Sequence, residues 1–316
     1  MYWQQKIGGI FAIALLGSAQ AAGAQAETPR VSGVLENYVM VYPQPQQMQT
    51  QAYLTYLHLQ GHIRPGLRFV AGTLFYRGHN VLDENYLELG KDKFHWQVGR
   101  FRSAFGHSDW SDLYYSGFVR FPLIRMTTLG KNFRLTRFDT GLSVRGEEKA
   151  VEYQIGWIDP FPRTYALLPN HPDHLIGRVQ TYRGNLIVGL NALLKPDQLD
   201  AAGTRLFDLD FRWSVPQVQA RGEFLTGQAQ GRHAEGYYID LFYHPVKLYR
   251  TTFLARLEGM SATGGDTGWS QLYTAGVKQI VSPLLTLELT RVWGNGIAPA
   301  EYARGWAIQA ITFIHF

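Results

Sequence analysis

The 316-residue chain contains no cysteine, which excludes a disulfide framework and any thiolate zinc site. It has no apolar run of the ~18 or more residues that a membrane-spanning helix requires. Its longest such stretch, Ile7 to Leu16, falls short of that length. Mean hydropathy is −0.17, so the apolar residues are dispersed. A strong charge bias is missing as well: Lys and Arg number 30, Asp and Glu 25, and the formal net charge is +5. With no basic run or basic helical stripe, nothing points to nucleic acid as a partner.

What is present is alternation. From Leu206 to Trp213, Phe207, Leu209, Phe211 and Trp213 fall on one face of an extended strand, and Asp208, Asp210 and Arg212 on the other. Val151, Tyr153, Ile155 and Trp157 oppose Glu152 and Gln154 in the same way. A soluble sandwich also alternates, but its strands average about 5–6 residues, whereas a tilted strand crossing a bilayer needs about 9–11. The segments here have the longer span. They fall at 31–42, 50–61, 67–77, 83–90, 93–102, 138–146, 149–158, 174–182, 185–193, 204–213, 217–226, 236–244, 249–258, 268–279, 284–293 and 304–316. The expected fold is all-β: a transmembrane antiparallel β-barrel of about 16 strands, with a miscount to 14 or 18 left open. Tight connections such as Gly90-Lys91-Asp92, Arg183-Gly184 and Val281-Ser282-Pro283 alternate with longer ones, as periplasmic turns and outer loops do.

Both ends of the chain carry address signals. Lys6, the apolar run after it and Ala24-Gln25-Ala26 form a signal-peptide pattern, so the expected domains are 1–26 signal peptide and 27–316 barrel. The chain closes on Phe316 with Ile314, Thr312, Ala310, Ile308 and Trp306 in phase behind it, resembling the C-terminal signature read by outer-membrane assembly machinery. The expected location is the bacterial outer membrane, with its lipid and lipopolysaccharide as surroundings. Trp213, Tyr243, Tyr249 and Phe94 would form the periplasmic girdle, and Trp157, Trp269 and Trp293 the outer one.

Sixteen strands enclose more space than wall side chains fill, so the reading expects a water channel. The polar phase carries Glu36, His58, Arg68, Glu88, Arg145, Glu152, Arg178, Asp208, Asp210, Arg212, Arg221, Glu223, Asp240, Arg250, Arg256, Glu258, Lys278 and Glu288. Residues 103–137 form one long connection, third among the outer loops, holding Trp110, Leu113, Tyr114, Tyr115, Phe118, Phe121, Leu123 and Ile124. Such a loop needs a surface to pack on and is expected to fold into the pore.

Val98-Gly99-Arg100-Phe101 leading to Phe105-Gly106, the long insertion, and Asp139-Thr140-Gly141-Leu142 entering Gly146 resemble the strand–loop–strand region of the phosphate-selective porin O and P type family. That resemblance implies a sixteen-stranded channel with anion preference, assembled as a homotrimer. The loop's own charges agree, since Arg120, Arg125, Lys131, Arg134 and Arg137 outnumber Asp109 and Asp112. With wall residue Arg145, they are the candidate constriction and anion-binding residues; the competing reading has them tethering the loop to the acidic wall. The expected function is passive diffusion of small hydrophilic solutes with a mild anion preference, possible anions including phosphate. The alternative is a non-channel barrel, either structural or adhesive, or a hydrolase. No catalytic residue, metal ligand or cofactor is assigned. His107-Ser108-Asp109 is the tempting triad, but adjacent residues do not converge on one point and no Gly-x-Ser-x-Gly elbow accompanies them. The chain is accordingly expected not to be an enzyme.

Overall fold

In a computed structural model, the described residues are 29–42, 47–76, 79–91, 93–107, 118, 120–126, 135, 138–159, 173–195, 203–262, 269–295 and 305–315. They form β1 (Arg30–Tyr42), β2 (Gln47–Arg64), β3 (Leu67–Tyr76), β4 (His79–Lys91), β5 (Phe94–Arg102), the single-turn helix α1 (Leu123–Met126), β6 (Phe138–Glu148), β7 (Val151–Asp159) and β8 (His174–Arg183). There follow β9 (Leu186–Leu194), β10 (Arg205–Val215), β11 (Val218–Ala229), β12 (Arg232–Tyr243), β13 (Thr251–Ala262), β14 (Ser270–Ser282), β15 (Leu285–Asn295) and β16 (Gly305–His315). Each strand pairs antiparallel with its sequence neighbours, and β1 pairs with β16 from Val34 opposite His315 to Val41 opposite Ile308, which closes the barrel. The signal-peptide segment, Phe316, Lys131, Arg134 and Arg137 lie outside the described residues.

Side-chain direction follows the pleat. Phe207, Leu209 and Trp213 are exposed on the outside, while Asp208 and Asp210 are buried inside. Trp157, Trp213, Trp269, Trp293 and Tyr243 also project outward, at the two ends expected of girdles. Turn chemistry sets the register at several hairpins. At β11–β12 a longer loop is expected, but the strands run on to Ala229 opposite Arg232, and a two-residue turn joins them. Gln230 and Gly231, with φ of 51° and 75°, supply the left-handed pair that such a turn demands. One expected wall residue is corrected. Pro245 and a 3-10 turn over Val246–Leu248 delay the start of β13 to Thr251, so Arg250 stays in the turn, over the ring of Tyr249.

The lumen is not uniformly aqueous. Toward the long-loop end the inward phase turns apolar: Ile158, Ile176, Leu193, Leu206, Leu225, Met260, Leu272 and Val292 are buried and form one cluster with Phe105, Leu123, Ile124 and Leu135 of the long loop. The loop therefore has a hydrophobic seat inside the barrel.

Candidate functional site

The loop is held on its seat by wall carboxylates. Arg125, in α1, binds Glu223 of β11 in a two-pronged pair, Nη2 to Oε1 at 2.5 Å and Nε to Oε2 at 3.2 Å. The amide of His107 donates to the same carboxylate, and the amide of Leu123 donates to Glu258 of β13 at 2.7 Å. Arg256 of β13, paired with Asp240 at 2.6 and 3.0 Å, lies 4.0 Å from the Phe118 ring and donates to the Arg120 carbonyl at 2.7 Å. Arg178 of β8 binds Asp210 and reaches the Gly106 carbonyl at 2.9 Å. The His107 ring nitrogen Nε2 meets the Phe211 carbonyl at 3.1 Å, and Nδ1 lies 3.6 Å from Asp210. Burial pushes the His107 imidazole below its ordinary value of 6.5, against the pull of Glu223 and Asp210, so it sits neutral in its pocket.

Beneath Ser103, Ala104, Gly106 and His107 lies a cavity of about 590 Å³ that reaches Lys93 and Glu147 at the short-turn end. Its wall includes His95, Arg102, Arg145, Glu84, Gln97 and Tyr86. Glu88, buried behind this wall, is shared by three basic groups: Arg145 Nη2 at 2.7 Å, His95 Nδ1 at 3.5 Å and Arg68 Nη1 at 3.9 Å. Gln97 donates to it at 3.0 Å. Glu84 in turn holds Arg102 at 2.9 Å, with His58 3.7 Å away. Three guanidinium groups thus face two carboxylates, leaving an excess of positive charge. The Arg145 and Arg102 side chains remain 43% and 46% exposed, so their unpaired edges are open to the cavity. On β7 and β8, Gln180 donates to Glu152 at 2.7 Å, continuing the polar lining.

Of the six candidate constriction residues, Arg145 lines this cavity. Arg125 is sealed against Glu223, and Arg120 lies in the seam between the loop and β13. The loop cations that are described sit with wall carboxylates, and the open cations belong to the wall. Sequence reasoning placed Arg68 and Glu88 on the inner phase but did not single them out, and it passed over His95 and Gln97. Their signal was the alternation of His95 and Gln97 with Phe94, Trp96 and Val98. His107 belongs to the loop's fastening; Ser108 and Asp109 lie outside the described residues. Among the described residues no cluster has the composition of a metal site.

No family profile and no characterised protein matches the chain by sequence. Its fold matches solved structures over nearly its whole length. OmpT, an outer-membrane protein of Vibrio cholerae expressed in the outer membrane, aligns at a TM-score of 0.62 and 12% identity, covering 91% of this chain and 98% of that one. A Rhodopseudomonas blastica porin carrying three substitutions aligns at 0.63 and 10%, covering 92% and 100%. The chain therefore has the fold of outer-membrane β-barrels; the match does not extend to the phosphate-selective porin family in particular. One expectation is overturned by these neighbours. The chain was expected not to be an enzyme, but OmpT stands first among them, and outer-membrane barrels of this kind carry catalysis as well as transport. At this identity the fold does not exclude an enzyme, and that exclusion is withdrawn.

Proposed function

We propose that residues 27–316, exported behind a signal segment at 1–26, form an outer-membrane channel for small hydrophilic solutes, with a mild preference for anions. The observation that carries the reading is the cavity under the folded loop, lined by charges of both signs and reaching the short-turn end. A wall of this kind keeps water and solutes inside, while the outer face offers Leu190, Phe207, Leu241 and Ile308 to lipid. The anion preference rests on Arg145, Arg102, Arg68 and His95 grouped around only two carboxylates; such rings raise the local anion concentration. Arg120 and Arg125 serve by fastening the loop that narrows the pore, and Lys131, Arg134 and Arg137 complete the loop's positive charge. The resemblance to phosphate-selective porins makes inorganic phosphate the first anion to test, and a homotrimer the assembly to look for; one of the OmpT neighbours is described in a trimer form.

The test is reversal potential in a planar bilayer under a KCl gradient. The wild-type protein should conduct with a chloride-favouring potential, and replacing both Arg68 and Arg145 with Gln should move that potential toward potassium. A folded barrel that does not conduct would overturn the channel, and an unchanged potential in the double variant would overturn the anion site.

A further inference from the structure

The outer face carries one charge in an unusual place. Arg183 and Arg205 stand at strand ends, and Glu235 has His233 3.5 Å away. Arg291 lies inside β15, four residues before Asn295 at the long-loop end, on the same outward phase as Leu287, Leu289 and Trp293. It is exposed. Across the sheet it faces Ala275 on one side and Trp306 on the other, and its guanidinium lies over the Trp306 ring, 5.5 Å from the centroid. No carboxylate among the described residues lies within ion-pair distance of it.

Its surroundings mark a definite level of the membrane. Trp293 stacks on Tyr273 with centroids 6.0 Å apart, and around the same end Phe224, Tyr237 and Trp269 form a continuous stack at 6.3 and 5.9 Å. Such aromatic rows sit at the depth of lipid headgroups. A cation on a lipid-facing strand is unfavourable at the bilayer centre, but its flexible stem lets it reach the headgroup layer. The planar guanidinium then matches a phosphate through two parallel hydrogen bonds.

We propose that Arg291, seated between Trp293 and Trp306, binds the phosphate of a phosphorylated lipid of the outer leaflet, whose acyl chains lie along Leu289, Leu287 and Ile308. The inference rests on the membrane placement under the proposed function but not on conduction. Charge complementarity and the headgroup-level aromatic row favour a lipid over a second copy of the chain, because a contact between copies would call for a carboxylate opposite the guanidinium.

The test uses the refolded full barrel in detergent, titrated with bisphosphorylated lipid A and with its dephosphorylated form, bound lipid being counted by native mass spectrometry. Wild type should retain the phosphorylated form, and Arg291→Gln should weaken that retention by about tenfold or more, as expected for losing charge-assisted hydrogen bonds. Arg291→Lys, a point charge without the fork, should fall between them. Equal retention by wild type and Arg291→Gln, or equal retention of both lipids by wild type, would overturn the proposal. So would an Arg291→Gln variant that loses its oligomer while keeping the phosphorylated lipid, for then the face is a contact between copies. Conductance separates the two readings: Arg291→Gln should conduct like wild type, and a failure of both to conduct removes the channel and leaves the lipid result standing.

Discussion

Glu223 is the most heavily engaged group in the lumen. Fully buried, it accepts two bonds from Arg125 and one from the His107 amide, so it fastens both the loop entry and α1. Removing one partner of a buried pair leaves an uncompensated charge at a cost of about 3–5 kcal/mol. Arg125→Met should therefore loosen the loop by about that amount, measured as lost hydrogen-exchange protection at the Leu123 amide. Adding Glu223→Gln, which removes the orphaned charge but keeps an acceptor for His107, should restore most of the protection. The imidazole beside it adds a pH dependence. Because burial holds His107 below 6.5, the undocked loop binds a proton that the docked loop does not. Docking is fully stable above 6.5, weakens as pH falls through that value, and weakens no further once the lowered folded value is passed. Thermal melts of wild type and His107→Gln across this range should diverge on the acid side; parallel curves would remove His107 from the account.

The loop's path depends on a sharp bend at its entry. Gly106 has φ of 67°, a left-handed conformation, and a Cβ there would overlap the Arg125 guanidinium and the Glu223 carboxylate. Gly106→Ala should undock the loop while leaving the strands paired: proteolysis between 103 and 137 should rise and far-ultraviolet dichroism stay unchanged. At this scale the sequence is unevenly legible. Strand existence and phase can be read because one face meets lipid and the other water, so Asp208, Asp210, Arg212 and their neighbours announce the inner face. The hydrophobic seat is harder to read. Leu193 and Leu225 occupy the inner phase, yet they look like extensions of the outer apolar pattern because Leu194 and Phe224 beside them are apolar too. Apolar residues on both phases at a strand end are the mark of wall buried on both sides, here by the loop. The role of Glu88 was equally hidden, since three cations converge on it from β3, β5 and β6, strands whose side chains meet only once the register is known.

At the scale of the whole molecule, membrane placement turns on which way the tryptophans face. The sequence holds 8, and Trp96, Trp157, Trp213, Trp269, Trp293 and Trp306 are exposed on the outside of the barrel. In a soluble sandwich the same apolar phase would point into a core, and these rings would be shielded from anything outside. In a bilayer-spanning barrel they lie against acyl chains and headgroups. Reconstitution into vesicles of acyl-brominated lipid should therefore quench most of the tryptophan emission relative to unbrominated vesicles, while iodide in the aqueous phase should quench little of it. Rings near the bilayer centre should respond most to bromine placed deep in the chain, and Trp293 and Trp306 to bromine placed near the headgroup. The opposite pattern, aqueous quenching without lipid quenching, would mean that the apolar face does not meet lipid, and both the channel and the Arg291 lipid site would fall with it.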